Sequence, residues 1–211
     1  HVFIPKEKLL AATCQLIGVE MQPVEEGFEV LTDGGEVVCE SVAGCEACYL
    51  EALYEAETYT AQRLKRMVSV KLDSKVDIDA IIERVELREG IKYAPQQRKT
   101  LDMASKSRIM VITGGPGTGK TTTVRALIEM FGEMGLKVQL AAPTGRAAKR
   151  MTELTGMEAS TIHRLLEAGY DDDGYDLVFK RDEDEPLKCG CVILDECSMV
   201  DITLMRALLA A

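Results

Sequence analysis

The sequence predicts an α/β fold: a parallel sheet with flanking helices, preceded by a small, mostly helical domain. Three observations carry that expectation. Apolar runs at 109–112, 137–142 and 189–194 read as buried parallel strands. Segments with apolar residues at helical spacing follow them. The first 90 residues instead carry helix-spaced apolar stripes and only two short strand candidates.

The strand at 109–112 runs into Gly-Gly-Pro-Gly-Thr-Gly-Lys-Thr (114–121), and a helical pattern from Val124 to Phe131 follows. This fits G-x-x-x-x-G-K-[ST] in a strand–loop–helix context, the phosphate-binding P-loop. Glycines let backbone N–H groups converge on phosphate oxygens without a Cβ clash. The following helix points its positive end at the same anion. The nucleotide-binding candidates are therefore Gly115, Pro116, Gly117, Thr118, Gly119, Lys120, Thr121 and Thr122. Lys120 supplies an ammonium for the β/γ-phosphates, and the Thr121 hydroxyl can ligate Mg²⁺. The expected cofactors are ATP and Mg²⁺.

With 211 residues, 46% hydrophobic and 28% charged, the composition is that of a soluble globular protein. The expected length is one large domain or two small ones. No run is long enough to span a membrane, and no secretory signal opens the chain. His1 is not an initiator Met, so the chain is expected to be a piece of a longer protein. Seven cysteines without a secreted framework suggest a reducing, cytoplasmic setting. The net charge of −10 argues against a simple basic nucleic-acid binder. Its distribution matters more: residues 1–90 carry −9, residues 91–150 carry +8 and residues 151–211 carry −9. The positive stretch surrounds the P-loop, where phosphates of nucleotide or DNA would sit.

Taken in order, Pro5 to Gly18 frames a first helix with Leu9, Leu10, Leu16 and Ile17 apolar. Pro23 starts a second helix through Phe28 and Leu31, and Asp33-Gly34-Gly35 turns the chain. Residues 36–39 and 47–50 are strand candidates that could pair as a wing. Helix, helix and ribbon outline a winged-helix module, whose acidity favours a scaffold or partner-binding role over DNA contact. Cys45 and Cys48 form a C-x-x-C with Cys39 before it, but no four-ligand zinc set closes nearby. A helix covers 51–70, and Asp77 caps another that Gly90 ends. The domain boundary is expected at 90/91. Pro95 then starts a helix whose first turn holds Gln97, a carboxamide suited to reading a base.

Past the P-loop helix, the strand at 137–142 ends in Pro143-Thr144-Gly145-Arg146, small and basic residues suited to a phosphodiester backbone. A short helix spans 160–166, and its His163 is given no chemistry. Acidic clusters at 171–173 and 182–185 flank an alternating segment, so a protruding hairpin is expected near 169–188. No calcium-loop pattern is met. The strand at 189–194 delivers Asp195 and Glu196 to its end, a Walker B element. Asp195 would hold Mg²⁺, and Glu196 would orient and deprotonate the attacking water. The other reading of this pair is the N-cap of the following helix. With Lys120, these two are the catalytic candidates.

Four motifs now stand in order: Gly-Gly-Pro-Gly-Thr-Gly-Lys-Thr-Thr-Thr (114–123), Ala-Pro-Thr-Gly-Arg-Ala-Ala (142–148), Ser-Thr-Ile-His-Arg-Leu-Leu (160–166) and Asp-Glu-Cys-Ser-Met-Val-Asp (195–201). Together they resemble RecD-like superfamily 1 DNA helicases, relatives of the exodeoxyribonuclease V alpha subunit. The resemblance covers residues 93–211 and implies a first RecA-like motor domain over 91–211, with a helical region over 1–90 ahead of it. It implies ATP-driven 5′→3′ translocation on single-stranded DNA, with roles in DNA repair and recombination. It makes Gln97 the adenine-reading residue, Thr144 a candidate strand contact and the hairpin a candidate pin at the DNA fork; Arg146, among the basic residues at the same strand end, is the other DNA-binding candidate. Cys197 stands where relatives often have Ala. A second motor domain and its arginine finger are expected outside these 211 residues, leaving the chain alone inactive. The alternative is a P-loop switch or docking subunit without helicase activity; a guanine-reading Asn-Lys-x-Asp is absent from the sequence.

Overall fold

The computed structural model describes residues 2–72, 76–115, 119–171, 173–174 and 177–211. Contacts divide it into two compact units, residues 1–62 and 63–211.

The first unit runs β1 (Phe3–Pro5), α1 (Lys6–Ile17), α2 (Met21–Asp33), β2 (Val37–Val42), β3 (Cys45–Leu50) and the start of α3 (Glu51–Ser69). The helix–helix–ribbon outline is present, and β1 adds a strand not read from sequence. The sheet order is β1-β3-β2, antiparallel throughout. The ribbon closes through Ala43 and Gly44, both at positive φ (50° and 81°). That two-residue geometry matches the right-handed strand twist, and glycine adopts it without a Cβ penalty. Leu10, Val24, Phe28 and Cys48 form the core between the helix pair and one face of the sheet.

The second unit continues with α4 (Ile78–Glu89), α5 (Pro95–Lys106), α6 (Lys120–Glu133), β4 (Val138–Ala142), α7 (Gly145–Thr155), β5 (Ala159–Thr161), α8 (Ile162–Leu165), β6 (Ala168–Tyr170), β7 (Leu177–Phe179), β8 (Cys191–Leu194), a 3₁₀ turn (Cys197–Met199) and α9 (Ile202–Ala210). The sheet order β5-β4-β8 is parallel, so all three strand ends point to one edge. β6 and β7 pair as a separate antiparallel hairpin. The compact units divide ahead of the expected 90/91 boundary, because α4 packs with α5 and α6. Ile78, Ile81, Ile82 and Val85 of α4 share one core with Tyr93, Leu101, Ala104, Ala126, Leu127 and Met130. Arg88 on α4 adds ion pairs to Glu129 and Glu133 of α6.

The parallel strand expected at 109–112 is not in the sheet; β8 forms an edge of its three strands. The run still alternates. Met110 and Ile112 pack against the core of α4, α5 and α6, while Val111 is 73% exposed. One apolar face is thus buried without ladder hydrogen bonds, and the other has no layer over it. A β-branched run fits a half-buried surface in extended form whether or not it is paired.

Candidate nucleotide-binding site

The P-loop helix α6 begins where the backbone at Gly119 reaches φ 81°. A Cβ there would stand 3.2 Å from Gln97 Nε2. The glycine therefore permits both the turn and the approach of Gln97. Lys120, Thr121 and Thr122 form the exposed first turn of the helix. N–H groups without an intrahelical acceptor and the positive end of the dipole converge there. The Lys120 ammonium donates to the carbonyl oxygens of Gly114 and Gly115, the latter at 3.2 Å. It is thereby folded onto the loop that a phosphate would occupy. Pro116, Gly117 and Thr118 lie outside the described residues. An anion-ready helix end, a glycine at positive φ and a lysine on the loop fit a nucleoside triphosphate.

Gln97 is placed by its own helix. Its Oε1 accepts from the Ala94 backbone N–H at 2.9 Å, which satisfies one donor at the start of α5. The Nε2 group is thereby turned toward Gly119. The carboxamide thus stands beside Gly119, with Nε2 donors and a second lone pair on Oε1 suited to reading a base. Behind it sits Glu86, a residue that the sequence reading passed over. It is 2% exposed and accepts four hydrogen bonds: from Tyr93 N (2.8 Å), Lys92 Nζ (2.9 Å), Arg98 Nε (3.1 Å) and Arg98 Nη2 (2.6 Å). Those to Arg98, then Lys92, hold its carboxyl at about 2, below the ordinary 4.5. The signal was in the spacing: Glu86 stands four residues after Ile82, on the apolar stripe of α4. A carboxylate there needs paired cations. Glu86 ties α4 to the 92–98 turn and so fixes the start of α5, which carries Gln97.

The second half of the site is the strand-end edge. Asp195 continues from β8, its N–H donating to Ala141 O at 2.9 Å. The Glu196 N–H donates to Asp195 Oδ1 at 2.9 Å. Glu196 adopts φ 51°, ψ 38°, a left-handed conformation that few non-glycine residues take. Both acidic residues are exposed. The N-cap reading of this pair does not hold. Asp201 is the cap of α9, accepting from Leu204 N (2.8 Å) and Thr203 Oγ1 (2.6 Å). The carboxylate of Glu196 is not spent on the helix.

Thr144 and Arg146 follow β4 at the same edge. Thr144 caps α7, its Oγ1 accepting from Ala147 N at 3.2 Å. Its hydroxyl proton is left to donate. Arg146, Lys149 and Arg150 are exposed along the same helix. His163 packs against the ring of Phe179, with centroids 5.9 Å apart. Phe179 also borders the core around Ile162, Leu166 and Leu204. It is therefore a packed side chain at the base of the hairpin rather than an exposed tip. Tyr175 lies outside the described residues. Among the described residues, Tyr170, at 71% exposure, is the aromatic the hairpin presents. Cys45 and Cys48 lie three apart on one strand and so face opposite sides of the sheet. Among the described residues no group of three or more His, Cys, Asp or Glu could hold a metal ion.

A family model described as an AAA domain matches residues 97–211, more than half of the chain. The chain belongs to this family. The ATP-dependent RecD2 DNA helicase of Deinococcus radiodurans is 38% identical over 163 residues, covering 77% of this chain and 22% of the relative. The RecBCD enzyme subunit RecD of Haemophilus influenzae is 29% identical over 196 residues, covering 78% and 29%. The ATP-dependent DNA helicase dda of Enterobacteria phage T4 is 39% identical over 107 residues, covering 50% and 24%. The chain thus spans less than a third of the length of each of these relatives. They bear out the resemblance to RecD-like helicases drawn from the motifs. The match to the AAA domain begins at Gln97 and takes in the P-loop, Thr144, Arg146, Asp195 and Glu196. Glu86 and the first compact unit lie ahead of it. No helix among the described residues is long and apolar enough to cross a membrane.

Proposed function

We propose that this chain is the ATP-binding half of a DNA helicase that moves 5′→3′ on single-stranded DNA. The observation that carries the reading is Gln97 lying against Gly119, which puts a base-reading carboxamide at the phosphate-binding turn. When bound, Mg·ATP supplies the energy of phosphoryl transfer. Gly115, Pro116, Gly117, Thr118, Gly119 and the first turn of α6 bind the phosphates, and Gln97 orients the adenine. Lys120 leaves its loop carbonyls for the β/γ-phosphates. Thr121 and Asp195 hold Mg²⁺. Glu196 orients the attacking water and accepts its proton.

Thr144 and Arg146 hold a DNA phosphate at the start of α7, where the helix end adds its positive pole. The hairpin insertion near 169–188 meets the DNA fork. Residues 91–211 act as the first motor domain, residues 1–90 as the region ahead of it, and a second motor domain closes over the nucleotide. The setting we propose is the cytoplasm, in DNA repair and recombination. The test is phosphate release by the full-length protein with and without single-stranded DNA. Stimulation by DNA is expected. Turnover indifferent to DNA would instead favour a nucleotide-dependent switch or docking subunit.

A further inference from the structure

Cys39 and Cys48 stand directly opposite each other in the antiparallel pairing of β2 with β3. Three positions along the ladder, Glu36 and Glu51 are joined by a backbone hydrogen bond, from Glu51 N to Glu36 O at 3.2 Å. Alternation along the ladder then makes Cys39 and Cys48 a pair without backbone hydrogen bonds, the position where opposed side chains come closest. Their Sγ atoms are 3.5 Å apart. The Cα separation typical of such a pair, about 4.5 Å, falls within the range that a disulfide spans. The two thiols differ in access. Cys48 is buried at 5% exposure in the core with Leu10, Val24 and Phe28. Cys39 is half-buried and lines an open pocket of about 410 Å³ with Lys6, Phe28, Glu29, Thr32, Asp33 and Glu46. The Lys6 ammonium stands over the Phe28 ring at 5.0 Å and pairs with Glu46 at 3.4 Å. It puts a cation at the wall of the pocket that Cys39 faces.

We propose that Cys39 and Cys48 form a thiol oxidation site for small hydroperoxides, with Cys39 reacting first from the pocket and Cys48 resolving it to a cross-strand disulfide. In the first step the Cys39 thiolate attacks a peroxide oxygen. An S–O bond forms, the O–O bond breaks, and the other oxygen leaves as hydroxide and takes up a proton. In the second step the Cys48 sulfur attacks the sulfenic sulfur. An S–S bond forms, the S–O bond breaks, and the oxygen departs as water with the Cys48 proton. Two thiols are oxidised and one hydroperoxide is reduced. Burial, then the hydrogen bond and charge of Cys39, push the Cys48 thiol up to about 12. Two of those causes belong to Cys39 and change once it is oxidised, so the order of reaction follows from the packing.

The test treats the 211-residue chain with hydrogen peroxide and follows intact mass and peptide maps. The expected product is lighter by about 2 Da, reversible by dithiothreitol, and cross-linked between Cys39 and Cys48. Cys48→Ser should stop at a Cys39 sulfenic acid that dimedone labels. Cys39→Ser should form no such disulfide and label Cys48 at least about tenfold more slowly. A wild-type cross-link mapping to Cys189 and Cys191 instead, or no disulfide in a chain whose circular dichroism shows it folded, overturns the proposal. The wild-type map decides even where a serine variant fails to fold.

Discussion

A carboxylate on the buried stripe of a helix must be paired, and Glu86 spends every lone pair on doing so. Its folded value of about 2 lies below the ordinary 4.5, chiefly through Arg98. A depressed carboxyl contributes stability that is fully present above 4.5 and is lost as pH falls from 4.5 toward 2. Glu86→Ala strands Arg98 and the Tyr93 N–H, and should lower the melting temperature at pH 7 by roughly 10 °C. The gap between wild type and variant should narrow as melts are repeated below pH 4.5; a gap independent of pH would assign the loss to packing alone. The candidate catalytic residues behave differently because they sit on the surface. Lys120→Ala in the full-length protein should keep the fold and reduce ATP hydrolysis by at least 10²-fold or so. Glu196→Gln should leave ATP bound but unhydrolysed, since the carboxylate's task is the water. Wild-type turnover in either variant, measured as phosphate release, would move the role to another residue.

At the scale of elements, the hairpin of β6 and β7 is held from its base. Arg181 pairs with Glu167 at 2.5 Å, Lys180 pairs with Glu167 at 3.3 Å, and Phe179 packs on His163. Replacing the tip, residues 171–176, with a short turn keeps all three contacts. That change should spare DNA-stimulated ATPase and cost duplex unwinding in the full-length protein, as read in a strand-displacement assay. Intact unwinding would reduce the hairpin to a solvated loop. The helices were legible in the sequence because their caps were: Asp77 and Gly90 frame α4 as expected, and Pro95 opens α5. Strands were less so. β1 and β5 have three residues each, too few for alternation to register. The run at 109–112 has the strand pattern without the ladder, because pairing depends on a neighbour that local composition does not encode. Glu86 was missed for a related reason, since its partners Lys92 and Arg98 converge on it only once α4 and α5 fold together.

The whole molecule divides its charge as it divides its contacts. Residues 1–62 carry 2 basic and 12 acidic side chains, so the entire net charge of −10 lies in the first compact unit. The DNA strand proposed as substrate would therefore be drawn to the second unit, whose basic residues gather on α7 and around the P-loop. The site there is open. Among the described residues Lys120, Thr121, Thr122, Asp195 and Glu196 are all exposed, and α5 brings Gln97 to Gly119. A nucleotide so held keeps one side in water, which weakens binding and leaves charge on the γ-phosphate unscreened in the transition state. Such charge calls for an arginine from outside the P-loop, worth roughly 10³–10⁵ in rate. The chain spans 22% of its Deinococcus relative. The 211-residue chain by itself should bind Mg·ATP weakly and release phosphate near background, with or without single-stranded DNA. Robust DNA-stimulated turnover by this chain would require an arginine from within it, and Arg146→Ala and Arg164→Ala would be the first variants to show which.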